Sequence, residues 1–277
     1  MKSILAERNA HPRDPNISLN ASTHIYTSPV TSSRSVTSWM DARFEKFDGE
    51  KAVKSVTGGR NWNEGNKYWG MTGNEMRCQW QDISDAAKEQ GTILHGHIES
   101  FLNNPDLKPG YSHQDLIQAY FQHLAELEPL DRIQELSRPG WYQFLEFVCD
   151  TPHLIPYRTE WVIYHGVYRL TGTVDTVYWN PILGTFVLAD WKHSAKPMGF
   201  KTSVKKYSTT EAMYYFPDTS FWKYAIQLNL YKLMLEEMYE TPIAKMIIFR
   251  FHPELHSYES YTMPELGEIL KPLLLSL

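Results

Sequence analysis

The sequence predicts an α/β protein, and three observations carry that prediction. Apolar residues recur at helical spacing through residues 82–103, the period changes to two from Tyr157, and a second long helical pattern at 220–240 follows the strands. Residues 1–20 are polar, with Pro12 and Pro15, and are expected to form a loose arm. In the Ser- and Thr-rich stretch 24–40, the SVTSW segment can start a helix on a hydroxyl cap. Residues 57–75 are glycine-rich, carry Trp62, Tyr68 and Trp69, and read as loop. The helix at 82–103 shows Ile83, Ala86, Ile93, Leu94, Ile98, Phe101 and Leu102, with Asp82 as cap and Asn103, Asn104 and Pro105 as its end. A second helix fits 113–128, and 129–156 matches no pattern. RTEWVIYH, YRLTGTVDTVYW and GTFVLADWK then read as three successive strands joined by turns at 165–166 and 180–184. A lysine-rich loop (193–218), the amphipathic helix 220–240, a buried strand 244–252 and a final helix interrupted at Pro272 complete the order.

Composition limits the function classes. With 277 residues, 42% hydrophobic and 21% charged, the chain can bury one sizeable core. Its 27 Lys and Arg against 32 Asp and Glu give a net charge of −5, so any nucleic-acid partner has to be held by a local basic patch. Cys78 and Cys149 make no metal-binding spacing and fit a reducing compartment. No apolar run approaches a membrane span, and the N-terminus makes a poor signal or transit peptide. The expectation is a soluble intracellular protein, cytoplasmic or nuclear in preference to mitochondrial, with no membrane partner.

The chemistry concentrates in one hairpin. Asp175 lies mid-strand among apolar neighbours, and Asp190 and Lys192, two apart, share one face of the next strand. In-register pairing would bring both carboxylates together beside an ammonium, a set that suits Mg²⁺ or Mn²⁺. Buried salt bridges at a strand end explain the same residues without function. His95 and Glu99, at i and i+4, share a helix face and add a nitrogen donor, or form a solvated pair. His97 points elsewhere and is expected at the surface. Glu160 is either a third acidic ligand or an edge-strand charge. Gln227 and Tyr231 form a second i, i+4 pair within an apolar helix face, where core hydrogen bonding alone can account for them. Between Lys192 and Thr210 stand five lysines and no acid, beside Phe200, Tyr207, Tyr214 and Tyr215. Such a loop suits a phosphate backbone with stacked bases, or is merely solvated.

In this order, His95-(x)3-Glu99, Glu160-Trp161, GTVD ending at Asp175, DWK from Asp190 to Lys192, and QLNLY from Gln227 to Tyr231 resemble the RecB-like branch of the PD-(D/E)xK nuclease superfamily. The helix EQGTILHGHIESFL and the Ser35-Val36-Thr37 segment are similar to those of mitochondrial genome maintenance exonucleases. The resemblance implies a restriction-endonuclease-like mixed β-sheet flanked by α-helices, with a helical N-terminal part. It makes residues 24–277 a single nuclease domain behind a flexible arm, 1–23. It implies Asp175 and Asp190 as metal ligands, with His95 and the Trp191 carbonyl as further ligands, and Lys192 as the residue that positions the attacking water. Glu99, Glu160, Gln227 and Tyr231 would support the site. Lys196, Lys201, Lys205, Lys206, Ser35 and Thr37 would contact the nucleic acid. The four-cysteine iron–sulfur clip of several relatives is missing, so no cluster is expected, and Val174-Asp175 stands where the superfamily name has Pro-Asp.

The activity so implied is divalent-metal-dependent hydrolysis of DNA by an exonuclease that prefers single strands or free ends, in replication, recombination or repair. Partner proteins from replication or recombination fit that role. A structure-specific endonuclease would use the same site. An inactive nucleic-acid-binding module and a small-phosphoester hydrolase are the remaining alternatives; the intact His95, Asp175, Asp190 and Lys192 argue against the first, the lysine loop against the second.

Overall fold

A computed structural model of the chain describes residues 3–194, 198, 206–252 and 254–275. The N-terminal part holds α1 (Ile4–Arg8), a small hairpin of β1 (Ser18–Asn20) and β2 (Ile25–Thr27), β3 (Arg34–Ser35), α2 (Val36–Asp41) and α3 (Gly49–Thr57). Helices α4 (Gly73–Leu102), α5 (His113–Glu126), α6 (Pro129–Leu136) and α7 (Trp141–Asp150) follow. Strands β4 (Ile155–His165), β5 (Leu170–Asn180) and β6 (Thr185–His193) form the expected antiparallel meander. Helix α8 (Ser220–Met238), β7 (Ile243–Phe251), β8 (Glu259–Thr262) and α9 (Gly267–Leu275) close the chain.

The main sheet has six strands in the order β3-β5-β6-β7-β8, with β4 also on β5. Because β4 occupies one edge of β5 along its length, β3 and β6 share the other. The β6–β7 and β3–β5 pairs are parallel and the rest antiparallel, so the sheet is mixed. A parallel β6–β7 pair needs a crossover, and α8 supplies it. One face of the sheet packs on α8 and α2 through Val174, Val177, Leu188, Ile226, Leu230 and Met234. The other packs on α4, α5 and α7 through Leu94, Ile98, Trp141, Phe144, Tyr178 and Trp191. Full burial of each such side chain stabilises by about 1.5–3 kcal/mol.

Several boundaries differ from the expectations. Helix α4 begins well before Asp82, because Thr72 and Glu75 form a reciprocal capping box. Of the apolar residues that mark this helix, Ile83 and Ile93 are 56% and 40% exposed, since residues 81–89 and 92–93 of α4 face solvent. The unassigned 129–156 stretch holds α6 and α7, and β8 was not foreseen. Residues read as a loose arm carry α1, whose Leu5 is buried against the second core. Among the described residues, no helix is long and apolar enough to cross a membrane.

Candidate active site

The β5–β6 ladder stops at Thr176↔Ala189. Beyond it β5 stays paired with β4, while β6 continues on β7 from Asp190↔Ile248 to His193↔Phe251. The two strands therefore splay, and Asp175 and Asp190 are the first residues on either side of the notch. Asp175 Oδ2 accepts a hydrogen bond from the Trp191 N–H at 3.0 Å, so a side chain takes over where the backbone ladder ends. Trp191 turns its indole into the second core, donating from Nε1 to Thr176 Oγ1 at 3.2 Å. Asp190 and Lys192 share the opposite face, as their spacing predicts, and form a buried ion pair with the Lys192 Nζ 4.9 Å from the Tyr224 ring. Burial and the Asp175 charge push Asp190 upward despite Lys192. The surrounding carboxylates raise Lys192 against the effect of its own burial.

Opposite Asp175, Glu160 has φ +43°, a left-handed conformation that is uncommon for a residue with a side chain. The ladder runs Thr159↔Thr176 to Trp161↔Val174 around it. In a regular strand Thr159 and Trp161 would face the same way. Here Thr159 meets Asn103 at the end of α4, whereas Trp161 lies in the α8 core. The kink thus turns the Glu160 carboxylate towards α4 and its His95.

His95 Nε2 lies 3.0 Å from the Trp191 carbonyl, which fixes the neutral ring with its proton there and frees Nδ1. Nδ1 faces Glu160 Oε1 at 3.6 Å and Asp175 Oδ2 at 3.7 Å. These three residues each offer a ligand atom within 4.8 Å of the others. One imidazole nitrogen and two carboxylate oxygens suit a divalent cation, so the residues present fit the metal that the sequence implies. The Trp191 carbonyl faces His95 Nε2 at hydrogen-bond distance, and Asp190, outside the three-residue cluster, pairs with Lys192 on the neighbouring strand.

Burial alone would lower the His95 pKa, but Asp175 and Glu160 outweigh it and raise it from 6.5 to about 9. The sign of the pH dependence follows. The metal-free protein gains stability from protonated His95 at low pH and loses it as pH rises through about 9. A cation must displace that proton, so Mn²⁺ affinity is expected to tighten about 10-fold per pH unit between about pH 6.5 and about 8.5. Mn²⁺ titrations and metal-free melting curves across that range check both trends.

The supporting residues fall around the notch unevenly. Glu99 is half-buried one turn beyond His95, its carboxyl raised by burial and the Glu160 charge. Gln227 donates to the Tyr231 hydroxyl at 3.1 Å. A Cβ at Gly172 would lie 2.5 Å from Tyr231 Cε1, so the glycine of GTVD is what lets this ring close over β5. Ser35 pairs with Thr171 in the sheet and caps α2 through Ser38 N, with Thr37 exposed beside it. Lys206 is exposed and ion-paired to Glu45 at 2.7 Å, while Lys196, Lys201 and Lys205 lie outside the described residues. His97, expected at the surface, is half-buried with its ring 6.1 Å from that of Trp141. Sequence reasoning missed Asn103, Tyr224 and Tyr26, whose hydroxyl is 3.0 Å from Thr173 Oγ1. No spacing links these residues to the hairpin.

A mixed sheet flanked by helices, with acidic groups and a lysine at the point where two strands diverge, is the restriction-endonuclease-like fold. The chain belongs to the PD-(D/E)XK nuclease superfamily, whose family model matches residues 73–275. Membership implies metal-dependent nuclease activity and hence a nucleic-acid substrate. No curated protein matches the chain. A solved structure described as a crystal structure of SSO0001 is similar at 14% identity, covering 68% of this chain and 88% of that one. Its TM-score of 0.26 adds nothing to the assignment.

Proposed function

We propose that the protein is a deoxyribonuclease that degrades DNA from single-stranded or frayed ends, in replication, recombination or repair. The observation that carries this reading is the notch between β5 and β6, where His95, Glu160 and Asp175 converge beside the Asp190–Lys192 pair. His95, Glu160 and Asp175 would hold Mg²⁺ or Mn²⁺, with Asp190 at hand on the neighbouring strand. A cation bound there would polarise the phosphate and offset charge on the leaving oxygen. Lys192, steered by Asp190, would orient the attacking water and donate to the phosphate. Gln227 and Tyr231 would brace the strand beside the scissile bond. Ser35, Thr37 and the lysines from Lys196 to Lys206 would hold the backbone on either side. The choice of DNA and of free ends rests on the resemblance to the RecB-like branch and to mitochondrial genome maintenance exonucleases.

Digestion of end-labelled linear and circular single-stranded DNA with Mg²⁺ or Mn²⁺ tests the reading. Linear DNA is expected to be degraded and circles left intact. Cleavage of circles would make the protein an endonuclease with the same site. Binding without cleavage in either metal would make it a nucleic-acid-binding module.

A further inference from the structure

Glu160 holds a left-handed conformation, φ +43°, that persists only where its surroundings enforce it. The structure shows what those surroundings are. On the N-terminal side of Glu160, Asn103 Nδ2 donates to Thr159 Oγ1 at 2.8 Å, and Asn103 Oδ1 accepts from the Leu5 N–H of α1 at 3.1 Å. On both flanks, Asp14 receives Arg158 Nη1 at 2.8 Å and Trp161 Nε1 at 3.0 Å. Arg158 also donates to the Asn9 carbonyl at 2.8 Å, and Asn9 Nδ2 donates to the Tyr157 carbonyl at 2.7 Å. Arg158 and Trp161, three residues apart, would face opposite ways in a regular strand. Both reach Asp14, and the guanidinium lies 4.4 Å from the indole centroid, because Glu160 between them is left-handed. The Arg158–Asp14 pair is nearly closed to solvent, its side chains 5% and 16% exposed. A cavity of about 240 Å³ between this segment and β4 is lined by His11, Asp14, Arg158 and Glu160, so the segment reaches Glu160 itself.

We propose that residues 3–17 are a positioning element of the metal centre. Asp14, through Arg158 and Trp161, and Asn103, through Thr159, clamp the left-handed turn that delivers the Glu160 carboxylate to His95 and Asp175. This inference rests on the metal-dependent reading of the site. Asp14 and Asn103 touch neither cation nor substrate; they act through Glu160. A nuclease domain trimmed of its first residues would keep its sheet and lose the geometry of its cation ligands.

The test is a double-mutant cycle read by Mn²⁺ affinity, with free Mn²⁺ followed by its paramagnetic resonance signal. Asp14→Asn is expected to weaken Mn²⁺ binding about 10- to 100-fold, the usual effect of losing a group that orients a ligand. In a Glu160→Gln background the same change is expected to alter affinity by less than about two-fold, because the ligand it orients is already gone. Asn103→Ala, which opens the clamp from the other side, gives the same pattern and serves if Asp14→Asn fails to fold. Equal weakening in both backgrounds, or no weakening in either, overturns the inference and leaves the nuclease reading intact. If the wild type binds no Mn²⁺, the metal-dependent reading falls and the inference falls with it.

Discussion

Asp175→Asn is expected to abolish metal-dependent cleavage and to weaken Mn²⁺ binding by more than the ~100-fold that loss of an orienting partner can cost. The substitution is chosen because the amide oxygen can still accept from the Trp191 N–H, as Asp175 Oδ2 does at 3.0 Å. The strand splay is therefore retained while one negative charge leaves the cluster. A second readout needs no metal. Asp175 is, with Glu160, one of the two carboxylates holding the His95 pKa up at about 9, so in Asp175→Asn that value is expected to fall towards the ordinary 6.5. An imidazole titration by NMR measures it. A His95 that titrates unchanged would mean that its proton is held by something other than this carboxylate.

Lys192→Ala is expected to lower cleavage by about 10²–10⁴-fold, the range for loss of a group that positions or moves a proton in the transition state. Mn²⁺ affinity is expected to change far less, since an ammonium has donors only and offers a cation no ligand atom. The variant also strands Asp190, which is 2% exposed, without its counter-ion. Removing one partner of a buried pair costs about 3–5 kcal/mol when the other stays charged. Asp190 is already displaced upward by burial and Asp175, so it escapes most of that cost by taking a proton. The variant should thus fold and bind metal yet cleave poorly. Single-turnover cleavage, Mn²⁺ titration and a melting curve separate these effects. Cleavage retained at the wild-type rate would remove Lys192 from the reaction.

The sheet was legible because its strands are rich in β-branched and aromatic residues and its turns carry Asn, Pro and Gly. The facing of Asp190 and Lys192 followed from their spacing of two. Glu160 was undecidable from sequence, because its role depends on one backbone angle that inverts the alternation on either side. Val174 and Val177 on β5, three apart, likewise lie in one core. Asp175 and Asp190 flank the point where the β5–β6 ladder ends, and their different partners, the Trp191 N–H and Lys192, depend on that ending, which no residue spacing encodes. The Asn103 and Asp14 contacts span 56 and 144–147 residues, and local periodicity carries no information on such contacts. The start of α4 was missed because a glycine- and tryptophan-rich approach hid a capping box that the Thr72–Glu75 spacing does encode.

Diffraction from crystals soaked in Mn²⁺, read for the anomalous signal of the metal, tests the central claim most directly. The account predicts a peak bounded by His95 Nδ1, Glu160 Oε1 and Asp175 Oδ2, with Lys192 beside it and free of direct contact. A peak that omits Glu160 and His95, or an empty notch with Mn²⁺ bound elsewhere, would contradict it.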